Sequence, residues 1–206
     1  MKKFSTFLIV LFLCFGAVES YSKEYKKKKS NYHSLGLGIG YANITSDVGE
    51  EYNPGRTIYA GYTYTRKALM TTITLNYTTF SDIEFEAQDY KLSTYDVSLL
   101  GGVYWNILQR DFYEGVTPYI GIEAGIVVLI EEESFGGSSS TNGYSLTTLS
   151  PVVGTSVPIA NSIAVIIEAK YRLNLQSQGT FDGRTVITGI TDYNYYTLNA
   201  GLKFNI

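Results

Sequence analysis

The residues best placed to do chemistry are charged and spaced by two. Glu168, Lys170 and Arg172 alternate with Ala169 and Tyr171. In a strand that spacing sets all three side chains on one face. Glu123, Asp96 and Lys203 sit in similar alternating runs, which makes three acids against three bases. A charge removed from water is costly unless it is paired. Such a balanced set reads as an internal hydrogen-bonded network, with the lining of a narrow, gated ion path as the alternative.

Other chemistry is poorly supplied. One His and one Cys exclude a multi-ligand Cys/His zinc site. His33 precedes the first strand-like run, so it reads as a solvated residue and not as the base that a nucleophile needs. No catalytic residue and no enzyme activity are expected. Gly36-Leu37-Gly38-Ile39-Gly40 is not a nucleotide loop, because no helix follows it. Glu131-Glu132-Glu133 lacks a calcium-loop pattern and reads as a solvated charge cluster. No cofactor and no metal are expected.

The elements that must position these residues are strands. After residue 30 the chain alternates with period two. Apolar faces run through Leu35–Tyr41, Ile58–Tyr64, Leu69–Tyr77, Tyr95–Ile107, Ile120–Ile130, Leu149–Val157, Ile163–Leu173 and Tyr196–Ile206. The opposite faces carry Gly, Ser, Thr and Asn together with the charges. Most of the eight runs reach the 9–11 residues that a tilted bilayer crossing needs. Residues 45–56, 81–92, 131–145 and 176–191 read as long polar loops, and 65–68, 108–115 and 158–162 as shorter links. That long–short alternation is the asymmetry of an all-β, eight-stranded, antiparallel, up-and-down transmembrane barrel.

Small and charged residues then belong to the lumen, and Ile, Leu and Val to lipid. Tyr41, Tyr62, Tyr64, Tyr77, Tyr95, Trp105, Tyr171, Tyr196 and Phe204 fall near strand ends, where interfacial aromatic girdles form. The alternative is a soluble sandwich or lipocalin-like barrel, since alternation alone does not say which face is inside.

The ends carry other information. Residues 1–20 read as a signal peptide, with Lys2 and Lys3 before the apolar run Phe4–Phe15, which is too short to span a bilayer. Residues 21–32 hold the lysine-rich stretch Lys23–Lys29 and read as a solvated periplasmic linker. The barrel is assigned to residues 33–206, with no peptidoglycan-binding domain expected after it.

Thr117-Pro118-Tyr119-Ile120-Gly121-Ile122-Glu123-Ala124-Gly125 resembles a central strand of small Gram-negative outer-membrane barrels. Asn161–Val165 running into Glu168–Leu173 resembles them as well. The family includes the transmembrane part of outer-membrane protein A, the opacity proteins and the Ail-type surface proteins. The resemblance covers most of residues 31–206. It implies an outer-membrane location and a last strand read by the barrel-assembly machinery. Here that strand alternates through Leu198, Ala200, Leu202 and Phe204 but ends in Ile206, not in an aromatic residue.

Function is expected at the loops, whose mobile tips such as Phe135–Gly143 are where binding resides on a rigid scaffold. Asp47, Glu50, Glu51, Asp82, Glu84, Glu86, Asp89, Glu131, Glu132, Glu133, Asp182 and Asp192 oppose only Arg56, Lys91 and Arg184. That balance, with a net charge of -3, argues against nucleic-acid and heparin-type ligands. The expected partners are outer-membrane lipid and lipopolysaccharide, the assembly machinery, and a host-cell or matrix ligand held by the loops. Adhesion or shielding is the first functional expectation. A narrow pore and a purely structural role are the alternatives.

Overall fold

The computed structural model describes residues 31–45, 52–81, 88–104, 116–135, 138–160, 162–181, 184–188 and 193–206. Among them are nine strands: β1 (Asn31–Ile44), β2 (Gly55–Arg66), β3 (Leu69–Ser81), β4 (Gln88–Tyr104), β5 (Thr117–Phe135), β6 (Ser138–Ala160), β7 (Ile163–Phe181), β8 (Arg184–Thr188) and β9 (Tyr195–Asn205). Each pairs antiparallel with its neighbour in the chain, except that β8 is a short strand paired only with the end of β7. β9 pairs with β7 on one side and with β1 on the other, which closes eight strands into a barrel.

Closure follows from the residues on each face. Ile39 is 69% exposed on the outside, whereas Arg172 is 2% exposed inside. Leu37, Ile58, Ile73, Leu75, Val97, Leu99, Ile122, Ile126 and Ile167 all point outward. Thr57, Thr74, Asn76, Asp96, Ser98, Glu123 and Lys170 are buried within. A soluble barrel has the reverse polarity, so the soluble alternative is set aside by the burial pattern.

The outward aromatics sit toward the two ends of this apolar band. Tyr41 packs beside Tyr196 at 6.4 Å and Tyr77 beside Tyr95 at 4.9 Å, both toward the loop end. Tyr171 shares a 3.1 Å hydroxyl contact with Thr45. Tyr62, Tyr64 and Phe204 lie toward the turn end, and Trp105 lies outside the described residues. From His33, which pairs with Tyr64, to Tyr41 runs about 27 Å of β1 at ~3.4 Å per residue. With strands tilted 35–45°, that is about 20 Å of height, close to the ~25 Å apolar band of such barrels.

Three expectations are corrected. Residues 131–145 are not a polar loop: β5 and β6 stay paired out to Phe135 and Ser138. Within 176–191, β7 and β8 likewise pair as a hairpin. Neither segment's sequence carries the sustained apolar alternation that marks a strand in lipid. His33 does not precede β1 but lies within it, on the outer face. Its Nδ1 is 2.5 Å from the Tyr62 hydroxyl, and its ring lies 5.0 Å from Tyr64.

If β1 faces lipid, Leu37→Arg near the middle of the band lowers stability by about 2–4 kcal/mol. Leu37→Ile, which keeps the volume, costs under about 1.5 kcal/mol. Denaturant titration of the protein folded into phospholipid vesicles measures both, and equal costs would contradict the assignment.

Candidate functional site

The lumen is layered, and each layer comes from the inward positions of successive strands. Toward the loop end lie Ala42 and Ile44 of β1, Phe80 of β3, Leu92 of β4, Val127 and Leu129 of β5, Leu146 of β6 and Tyr195 of β9. They form one apolar cluster with no more than 6% exposure at any member. Tyr52, Tyr144 and Tyr193 cover it. Tyr193 donates a hydrogen bond to Glu131. Burial first, then that hydrogen bond and the carboxylate's charge, push the Tyr193 phenol well above its ordinary range.

The middle layer is charged, and it is continuous. Asn76 donates to Asp96 Oδ2 at 2.7 Å, and Arg172 Nη1 donates to the same oxygen. Arg172 Nη2 donates to Glu123 Oε1 at 3.1 Å, and Lys170 Nζ donates to Glu123 Oε2 at 2.6 Å. Lys170 also pairs with Glu168 Oε1 at 3.0 Å, and the Tyr119 hydroxyl donates to Glu168 Oε2 at 2.7 Å. The Arg172 guanidinium lies 5.4 Å from the Tyr195 ring centre, so it borders the apolar layer. Strands β3, β4, β5 and β7 supply these groups because their inward positions come to similar heights in the lumen.

Lys203 stands apart. Its Nζ donates to the Tyr104 hydroxyl at 2.9 Å and lies over the rings of Tyr32 and Tyr104 at 5.3 and 5.6 Å. It joins no ion pair among the described residues, so the set expected as six becomes a chain of five and a separate lysine. Facing the lumen says nothing about depth along it, and Lys203 sits near the turn end of β9.

Around Lys203 the lumen holds a cavity of about 40 Å³. Glu168, Tyr59, Tyr104, Tyr119, Thr63 and Thr72 are among its lining residues. Glycines make room for two of its three tyrosine rings. A side chain at Gly38 or Gly201, paired across β1 and β9, would strike Tyr59, and one at Gly154 would strike Tyr119.

The apolar layer was not anticipated. Its signal is the unbroken run Ile126-Val127-Val128-Leu129-Ile130, where the inward positions turn apolar as well. The chemistry of the whole site is pairing and packing. Among the described residues no cluster of His, Cys, Asp and Glu could hold a metal ion. His33 faces outward, away from the lumen groups.

No protein-family model and no curated protein matches the sequence. The fold does match solved structures. The fold is similar to the crystal structure of Neisserial surface protein A, with a TM-score of 0.56 and 16% identity over 86% of this chain and 98% of that one. It is similar to Ail, the attachment invasion locus protein of Yersinia pestis, with a TM-score of 0.57 and 15% identity over 87% and 100% of the two chains. It is also similar to the outer-membrane protein OprG of Pseudomonas aeruginosa, with a TM-score of 0.57 and 10% identity over 87% and 97%. Identities this low speak for the fold alone: an eight-stranded barrel of the outer-membrane type.

Removing one partner from a buried ion pair costs about 3–5 kcal/mol, because it strands the other charge. Arg172→Met, which leaves both Asp96 and Glu123 short of a donor, is expected to fall in that range. Lys203→Met leaves no paired acid behind and is expected to cost far less. Urea unfolding of the two variants in the same vesicles measures the contrast. A loss for Lys203→Met as large as that for Arg172→Met would contradict the split.

Proposed function

We propose that this is a non-enzymatic surface protein of a Gram-negative outer membrane, acting by interaction through its loop end. In this reading the loop end faces the cell exterior and both barrel termini face the periplasm. The apolar outer band is embedded among phospholipid and lipopolysaccharide. The chain reaches the barrel-assembly machinery after export by its signal peptide. The interaction is adhesion to a host cell or matrix, or contact with other envelope components.

The observation that carries this reading is the extended wall of paired strand at the loop end. Val128 of β5 is level with Tyr95 of the aromatic band, and β5 continues from there to Phe135. At ~3.4 Å per residue that adds about 24 Å of strand. β4, β6, β7 and β8 pair alongside it. A hydrogen-bonded, paired platform binds at a lower ordering cost than unpaired loops do.

Its charge points to the chemistry of the partner. Glu131 lies at the rim, and the exposed Glu132 carboxylate is 3.4 Å from Lys91. The neighbour Ail has been solved with the heparin analogue sucrose octasulfate. The acidic balance of the corresponding end here argues against such polyanions and for a neutral or basic partner surface. The buried apolar cluster of Phe80, Leu92, Val127, Leu129 and Leu146 favours this surface reading over a narrow gated channel, since it packs the lumen at the outer end.

The test removes the platform and keeps the barrel. Glu131 and Asn142 are paired, so residues 132–141 can be replaced by a two-residue Asn-Gly turn. The shortened protein is expected to refold with unchanged heat-modifiable gel migration and to lose binding to host cells and matrix. Retained binding would contradict the platform's role. No binding by the intact protein would leave the structural role.

A further inference from the structure

The outer wall carries, at its turn end, a polar cluster that neither the lumen nor the loop end uses. His33 of β1 and Tyr62, Tyr64 and Arg66 of β2 all face outward there. His33 Nδ1 is 2.5 Å from the Tyr62 hydroxyl, and the imidazole lies 5.0 Å from the Tyr64 ring. With the Tyr62 hydroxyl donating to Nδ1, the ring hydrogen stands on Nε2, which has no partner among the described residues. His33 pairs with Tyr64 and Asn31 with Arg66, so His33 and Arg66 are diagonal neighbours on one face. Such neighbours stand about 7–8 Å apart, within reach of long side chains. Backbone bonds hold the frame. The β2–β3 turn is only Lys67 and Ala68, and the Tyr104 N–H donates to the Ala68 carbonyl at 2.8 Å. The Ile206 N–H donates to the His33 carbonyl at 2.9 Å.

Charge and depth together name the ligand. Arg66 and Lys67 are exposed and join no ion pair among the described residues. No acidic side chain among those residues faces outward at this end. An anion is therefore the complementary partner, and a guanidinium fits a phosphate with paired donors. His33 marks the turn-side edge of the apolar band, and Arg66 stands two residues farther out. At ~3.4 Å per residue and a tilt of about 35–45°, that is about 5 Å of height. The headgroup layer on each side of the hydrocarbon is about 5–7 Å thick. The anion found throughout that layer is the phosphate of a phospholipid.

We propose that His33 Nε2 and the Arg66 guanidinium hold the phosphate of one phospholipid headgroup against the outer wall. Tyr62 sets the imidazole, and Lys67 adds positive charge beside it. The turn end is then anchored at a fixed depth by a lipid bound at one place on β1 and β2. This inference goes beyond the surface reading. It needs only that the apolar band lies in a bilayer, and it does not depend on what the loop end binds.

His33 is the chain's one histidine, so isotope-labelled histidine reports on this site alone. The barrel is refolded into vesicles of phosphatidylcholine and phosphatidylglycerol in phosphate-free buffer. Nitrogen–phosphorus dipolar NMR then reads the distance from the ring to lipid phosphate. A hydrogen-bonded phosphate places phosphorus within about 4 Å of Nε2, and that contact is expected. Arg66→Gln is expected to abolish it, and Arg66→Lys to restore part of it. As a control, Ile159→His in a His33→Phe background moves the label to an exposed position at the same end, on β6, four strands from β2. That variant is expected to show no such contact. Heat-modifiable gel migration confirms that each variant folds. Absence of the contact in the unaltered protein would overturn the proposal, whether or not the variants fold. So would a contact that survives Arg66→Gln. Equal contact in the Ile159→His control would mean that any side chain at headgroup level meets phosphate, and it too would overturn the site. A contact formed with inorganic phosphate in a phosphorus-free detergent would mean a site for free phosphate and would overturn the assignment to lipid.

Discussion

Lipid accepts no hydrogen bonds, and the rest of this structure depends on that constraint. Every backbone N–H and C=O within the band must find its partner inside the sheet, and only a closed sheet has no edge. β9 meets the requirement by pairing with both β7 and β1. β6 and β7 pair at Leu149–Leu173 and again at Val152–Lys170, and Pro151, which has no N–H to give, stands between those pairs. Once the sheet closes, alternation divides the chain into a lipid-facing half and a lumen-facing half. The polar half has nowhere else to go.

Eight strands leave a lumen that side chains can fill. How it is filled follows from the cost of burying each kind of group. Apolar side chains need no partner, and they occupy the loop end and, as Met70, Leu100 and Val152, the turn side as well. Charges need opposite charges at hydrogen-bond distance, and the middle supplies them from four strands in one chain from Asp96 to Glu168. Buried pairs of this kind add little net stability over apolar packing, but breaking one is expensive. They join inward positions of β4, β5 and β7 that stand at similar heights in the lumen. Hydroxyls and tyrosines take the turn end, where glycines on β1, β6 and β9 leave room for two rings.

Much of this was legible in the residues. Long alternating runs mark strands that cross lipid, and the side carrying Glu168, Lys170 and Arg172 must be the one lipid does not touch. Two features were hidden for physical reasons. Above the band a strand has no lipid to face, so the paired strands of residues 131–145 need no hydrophobic period and look like loop. At the loop end of the lumen both faces are apolar, so Val127 and Leu129 vanish into the run from Ile126 to Ile130. A third, the separation of Lys203 from the other charges, depends on height along the barrel. Alternation reports which face a residue takes and is silent about height.

The central claim is the polarity of the wall, with apolar residues outward in lipid and charged residues inward. A nitroxide scan of β3 in phospholipid vesicles tests it most directly. Labels at Thr71, Ile73 and Leu75 should relax strongly with dissolved oxygen, which concentrates in lipid. Labels at Met70, Thr72, Thr74 and Asn76 should not, giving a period-two profile along the strand. A profile of opposite phase, with Ile73 and Leu75 shielded and Thr74 and Asn76 reached by a water-soluble nickel chelate, would contradict it.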